Sequence, residues 1–289
     1  GEGLMPAALS VLSELGVDQL EGHRFRGVRY LDAADPGVRA SGKFRGGAGL
    51  GVRRTTLHEA MSRRADAVGV RRIRSRAEHV TTGEDQVEVD GRTARYLIAA
   101  DGLHSDLRSG LGLDDDPAGP GRFGVRRHFE TPPWSDYVEV YWSRAGEAYV
   151  TPVGPTTVGV AILAEGGGRF DDLFESFPLL RQRIGNASVV SEDRGAGPFL
   201  QMASSVVEGR VLLVGDAAGY VDALTGEGVA LAVRTATAAV DAIAEGNPGS
   251  YRSRWRTITR EYRWMTRAMV EVSGLRFLLR PMIRLLDRF

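Results

Sequence analysis

Two aspartates, a run of glycines and an arginine pair are spaced for holding an anionic ligand. Val211–Val214 is a short apolar run of strand type, and it delivers Gly215 and Asp216 to its carboxyl end. The chain then turns through Ala217–Thr225, and a long helical pattern opens at Gly226, Glu227, Gly228 and Val229. A helix start with almost no side chains leaves N–H groups free and carries a positive partial charge. Ligands of open α/β sheets sit at such strand ends. Residues Ala100–Arg108 repeat the logic. The apolar strand Tyr96–Ala99 ends in Asp101 and Gly102, and Ser105 is placed to cap a following helix. The glycine lets a ligand approach the backbone closely. Arg53 and Arg54 stand at a third helix start, where an arginine can donate bidentate bonds to a phosphate. Taken singly, the Asp-Gly pair reads as an ordinary turn and the arginines as solvated.

These residues need elements to position them. Pro6 opens a helix that runs to about Leu15 and stops at Gly16. Gly22–Gly51 is glycine-rich with short strand-like runs, including Phe25–Leu31. Thr56–Glu59 reads as a capping box, with Leu57, Met61, Ala65 and Val68 at helical spacing and Gly69 as the stop. Val70–Val80 and Val87–Val89 read as strands, and Asp90-Gly91 signals a hairpin. Phe123–Phe129, Tyr137–Trp142, Ala148–Val153 and Thr157–Ala164 then predict successive strands of an antiparallel sheet. Phe170–Ile184 looks helical and Ser191–Pro198 a loop.

The end of the chain reads as two amphipathic helices. Tyr251, Trp255, Ile258, Tyr262, Met265, Met269 and Val272 form a one-sided stripe in the first. Arg276, Arg280, Arg284 and Arg288 recur every four residues in the second, opposite Leu275, Leu278, Leu279, Leu286 and Phe289. Such a helix suits solvent on its arginine side. It equally suits an anionic membrane surface or a dimer face.

The bulk numbers set bounds. The chain has 289 residues, 43% hydrophobic and 26% charged, an ordinary globular composition. A net charge of +0 gives no field for nucleic acid. The absence of cysteine excludes disulfides and thiolate chemistry and fits a reducing, cytoplasmic setting. No apolar run reaches the ~18 residues of a spanning helix. None of the five histidines pairs at a metal spacing, so no metal is assigned.

Arg54 with Leu57, then Asp101-Gly102-x-x-Ser105-x-x-Arg108, then Gly215-Asp216 with Thr225-Gly226-Glu227-Gly228 occur in one order. That order resembles the FAD-dependent monooxygenase superfamily with the para-hydroxybenzoate hydroxylase type of fold, and within it the geranylgeranyl reductase branch. The resemblance implies an α/β, three-layer FAD-binding domain, incomplete at its N-terminus, with an inserted antiparallel-sheet substrate domain and C-terminal helices. By that layout residues 1–114 and 195–246 bind FAD, with 22–50 contributing to the substrate side. Residues 115–194 form the substrate sheet, and 247–289 the helical extension. The resemblance also implies roles. Asp216 would bind the ribityl chain. Gly226–Val229 would place N–H groups at the N1/C2 edge of the isoalloxazine. Asp101 and Gly102 would line the pyrophosphate side, and Arg54 would contact the cofactor.

The family opens with a βαβ unit carrying G-x-G-x-x-G, and these residues do not contain it. Gly46–Gly51 has the glycines at the wrong spacing. Either about 40 residues precede Gly1 in the parent protein, as a βαβ unit requires, or the adenosine half of FAD has no cradle. On the substrate side Arg126, His128, Tyr141, Trp142 and Tyr149 are candidates on the sheet, and Tyr220 on the loop, although each aromatic alone reads as sheet packing. The implied activity is that of an FAD-dependent oxidoreductase with NAD(P)H as donor. It either hydroxylates an organic substrate with dioxygen or reduces a carbon–carbon double bond of a small organic or lipid substrate. The alternative is a non-catalytic flavoprotein-like module that binds a lipid, an apolar ligand or a partner.

Overall fold

A computed structural model describes residues 2–115 and 121–274. By contacts the chain forms two units: Gly1–Gly69 and Pro120–Pro198 with the chain from Met269 onward, and Val70–Gly119 with Phe199–Ala268. The architecture is mixed α/β.

In the second unit Val211–Leu213 pairs in parallel with Leu97–Ala99, and Val207–Glu208 lies antiparallel on its other side. Val211, Leu212 and Leu213 are all fully buried, as expected of a strand covered on both faces. The helix Gly228–Ala244 packs Ala238, Ala239 and Ala242 into this core beside Tyr251 and Trp255. Tyr251 opens the helix Tyr251–Gly274, and its hydroxyl donates to the Leu213 carbonyl at 2.8 Å. The hairpin at Asp90-Gly91 is present, with both residues at positive φ (48° and 76°), between Val87–Val89 and Arg92–Ala94.

In the first unit the expected antiparallel strands form as Arg122–Glu130, Tyr137–Trp142, Glu147–Gly154 and Thr157–Glu165. The sheet continues with Gly27–Asp32, parallel to Tyr137–Trp142, and then Arg39–Lys43. One face packs Tyr141, Val150, Val160 and Ile162 against the helices Phe170–Phe174 and Pro178–Ile184. The helix Pro6–Glu14 closes at Gly16, with φ 77°.

Several local expectations are corrected. Val70–Val80 is not a strand; the chain is irregular until Val80–Thr82. Arg71, Arg72, Arg74 and Arg76 break any apolar alternation, and Val70 and Ile73 stay 53% and 51% exposed. Thr56–Glu59 does not cap its helix, which begins at Arg54 with no side-chain cap on the N-cap residue. The carboxylate of Glu2 accepts the Arg54 N–H instead, at 3.2 Å. Of the stripe in that helix only Leu57 is buried, while Met61 and Val68 are exposed. Phe170–Ile184 is two short helices, because Pro178 cannot continue the first. Phe25–Leu31 splits at Arg26: His23–Phe25 pairs with Gly49–Gly51, and Gly27–Asp32 joins the large sheet. The expected arginine helix beyond Gly274 lies outside the described residues.

Candidate functional site

The parallel register sets Ala99 beside Leu213, and the Val214 N–H donates to the Ala99 carbonyl at 3.0 Å. The Asp101 and Gly215 turns therefore leave adjacent strands at the same edge. Asp101 braces its own turn. Its carboxylate accepts the Ser105 hydroxyl at 2.6 Å and the Leu107 N–H at 3.0 Å. Ser105 caps the short helix Asp106–Gly110 through the Arg108 N–H. Gly102 has φ 87°, and a Cβ there would meet nothing within 4 Å, so its backbone faces open space.

Arg108 joins the two turns. Its buried guanidinium donates to Asp114 at 2.6 Å, to the Ala217 carbonyl at 3.2 Å, to the Leu103 carbonyl at 3.3 Å and to Gln201 at 3.2 Å. Sequence reasoning placed Arg108 in the motif but gave it no task. The signal was its fixed offset from Asp101.

Gly215–Ala218 forms one tight turn, and the Gly215 N–H donates to the Thr235 hydroxyl at 3.0 Å. Asp216 faces a narrow cavity of about 20 Å³ shared with Gly228, Thr235, Tyr262 and Arg263. That is room for about one water. The chain then runs past the buried Asp222, whose side chain accepts the Leu224 N–H and whose carbonyl accepts the Tyr262 hydroxyl at 2.9 Å. Burial, with the charges of Asp216 and Asp222 behind it, pushes the Tyr262 phenol up. Gly226 has φ 69°. Glu227 is the N-cap of the helix Gly228–Ala244, and no side chain caps that start. The Thr225 hydroxyl is buried with no hydrogen-bond partner among the described residues. Thr225 is thus a site candidate that sequence reasoning passed over. Burial and the nearby Glu261 raise the Glu227 carboxyl, against the pull of Arg234. Tyr220 lies against Gly228, with its ring 3.6 Å from where a Cβ would stand.

The other candidates belong to the first unit. Arg54 begins the helix Arg54–Ala67 with an exposed side chain. Cross-strand pairing puts Arg126, Tyr149 and Tyr30 on one face, in the row Arg126, Ala161, Tyr149, Val140, Tyr30. Trp142 shares that face, 6.5 Å from the Tyr30 ring. Its indole N–H is buried and has no partner among the described residues. Tyr141 turns to the opposite face, where its hydroxyl donates to Glu139 at 2.8 Å. His128 is fully buried between Glu2, 2.5 Å from Nε2, and Ser191, 2.9 Å from Nδ1. Burial alone would raise the Glu2 carboxyl; His128, the Arg54 N–H and Arg126 outweigh it and hold it below the usual range. Among the described residues no cluster of His, Asp or Glu could hold a metal ion, and no helix is long and apolar enough to cross a membrane.

Comparison with known proteins gives this geometry a context. The digeranylgeranylglycerophospholipid reductase of Methanococcus vannielii is 30% identical over 158 residues, a match covering 48% of this chain and 38% of the reductase. The chain thus spans well under half the length of that relative. Among solved structures, the myxobacterial chondrochloren halogenase CndH superimposes with a TM-score of 0.80 at 18% identity, covering 94% of this chain and 73% of the halogenase. The flavin-dependent halogenase CmlS gives 0.77 at 18% identity, covering 90% of this chain and 54% of that one. PqsL, a probable FAD-dependent monooxygenase from Pseudomonas aeruginosa, gives 0.73 at 19% identity, covering 100% and 89%. At these identities the likeness establishes the fold. Residues 44–271 match the family described as FAD binding domain, which is most of the chain, and this protein belongs to that family.

Proposed function

We propose that this chain binds FAD at the Asp216 turn and the Gly226–Val229 helix start, and that it serves an oxidoreductase that reduces a carbon–carbon double bond in a lipid or other apolar organic substrate. The observation that carries the reading is the uncapped helix start beside the Thr225 hydroxyl, which is buried with no partner among the described residues. Native structures rarely leave such groups unpaired. A flavin fits this donor set. Its ring edge offers acceptors to the free N–H groups and to Thr225, and its ribityl hydroxyls suit a carboxylate such as Asp216. Gly102, open at its Cβ position, would border the pyrophosphate with Asp101.

FAD, when bound, supplies the electron transfer, with NAD(P)H as donor; the protein supplies position and electrostatics. Asp101 and Arg108 hold the two turns in place. In the first unit, Trp142 keeps a buried N–H with no partner among the described residues, on a sheet face it shares with Tyr30, Tyr149 and Arg126. Reduction is favoured because a reductase is similar in sequence, 30% identical over 158 residues.

The test is an FAD titration of the 289-residue chain, followed by flavin absorbance and fluorescence. Saturable binding is expected. Asp216→Ala should weaken it about 10–100-fold, as loss of a charged hydrogen-bond partner does, and Thr225→Val about 2–10-fold. A colourless protein that leaves added FAD unchanged overturns the reading in favour of a non-catalytic lipid- or partner-binding module. With FAD bound, NADPH and a polyprenyl lipid should give a product that has gained hydrogen. A product that has gained oxygen instead would show hydroxylation.

A further inference from the structure

The outer face of the helix Tyr251–Gly274 remains after core and site are accounted for. Tyr251, Trp255 and Tyr262 turn inward and are buried. Arg256, Arg260, Trp264 and Arg267 follow at spacings of four, four and three, which places them on one stripe, and all four are exposed. Trp264 is 73% exposed, whereas Trp142 and Trp255 are buried and Trp134 is half-buried. A tryptophan is on average a well-buried residue, so this one calls for an explanation.

The arginines of the stripe are unspent. Arg252 donates to the Val207 carbonyl, and Arg254 pairs with Glu245. Arg256, Arg260 and Arg267 make no hydrogen bond or ion pair among the described residues. Of the carboxylates of this helix, Glu261 acts on Glu227, and Glu271 alone follows on the stripe, at its far end, four residues after Arg267. After burial, repulsion from Arg267 and Arg256 lowers the pKa of Arg263, the mark of an uncompensated positive patch.

We infer that this stripe docks on an anionic phospholipid surface, with the arginines on headgroup phosphates and the Trp264 indole at the headgroup boundary. The sequence that follows favours a bilayer over a nucleic acid. From Val272 to Leu286 there is no carboxylate, and Arg276, Arg280 and Arg284 alternate with leucine, phenylalanine, methionine and isoleucine. Nucleic acid has no use for those apolar residues; a bilayer interface takes them up. The inference does not rest on the flavin reading, and either can fail alone.

The experiment is co-sedimentation of the full chain with vesicles of phosphatidylcholine, alone or mixed with phosphatidylglycerol. Pelleting is expected only with the anionic vesicles and should fall with added salt. Replacing all three arginines (R256Q, R260Q and R267Q) should weaken partition about 100-fold, from on the order of 1 kcal/mol per arginine at a charged surface. The triple variant should keep the FAD affinity of the parent chain. The unmodified chain gives a second reading that needs no variant: lipids carrying a fluorescence quencher should quench tryptophan emission in anionic vesicles and not in zwitterionic ones. Equal binding to both vesicle types, no quenching, or an intact triple variant that pellets like the parent overturns the inference. So does tight binding of single-stranded RNA where anionic vesicles fail to bind.

Discussion

Arg108 shows how one side chain can set a site without touching a ligand. Its guanidinium meets an acceptor in four places, so it fixes the Asp101 turn against the Gly215–Ala218 turn. Methionine at this position keeps the volume and removes every one of those bonds. Arg108→Met should lower stability by about 2–3 kcal/mol, somewhat below the 3–5 kcal/mol of a fully buried ion pair because Asp114 is partly exposed. Urea midpoints measure it; a shift under about 0.5 kcal/mol, the size of an ordinary surface change, would show that the clamp is dispensable. Asp101 was legible as a site residue from its place at a strand end. That its carboxylate is engaged by Ser105 and Leu107 was not, since a turn can satisfy an aspartate or leave it for a ligand with the same sequence.

Among elements, the helix Gly228–Ala244 carries the uncapped start, and its seat depends on small residues. Ala239 and Ala242 are fully buried against the Val211–Leu213 strand's core. Ala239→Leu would force the helix outward, at about 1–3 kcal/mol of overpacking, and would carry Gly226–Val229 with it. FAD affinity should then fall along with the melting temperature. A variant that melts early and binds FAD normally would separate the helix seat from the site. Elements with local partners could be read from the sequence, such as the Asp90-Gly91 hairpin and the Gly228 helix. Where the partner is distant, reading failed. The cap of the helix Arg54–Ala67 comes from Glu2, 52 residues away, which no local window contains. Likewise, strand alternation tells Tyr141 and Tyr149 apart, but only the helices Phe170–Phe174 and Pro178–Ile184 decide which face is covered.

For the molecule as a whole, a net charge of zero conceals carboxyls shifted from their ordinary ionisation in both directions. Glu2 is low through His128, Arg54 and Arg126, which overcome its burial; Asp114 is low through Arg108, and Asp171 through Arg127. Each contributes stability above its unfolded pKa of 4.5 or 3.8, and that contribution is lost as pH falls through the lower folded value. Stability should therefore decline as pH falls below about 4.5. Glu227 runs the other way. Burial and Glu261 raise it, so its ionised form costs stability at neutral pH, and the cost shrinks as pH falls below its folded pKa and is gone below the unfolded value of 4.5. Glu227→Gln should then be more stable than the parent near pH 7, with the difference closing on acidification. Glu2→Gln should be less stable near pH 7 and show a shallower acid limb. Urea midpoints from about pH 7 to about pH 3 compare all three curves. If Glu227→Gln is no more stable at neutral pH, the carboxylate is already relieved by Arg234 and by the positive field of the helix start where it is the N-cap residue.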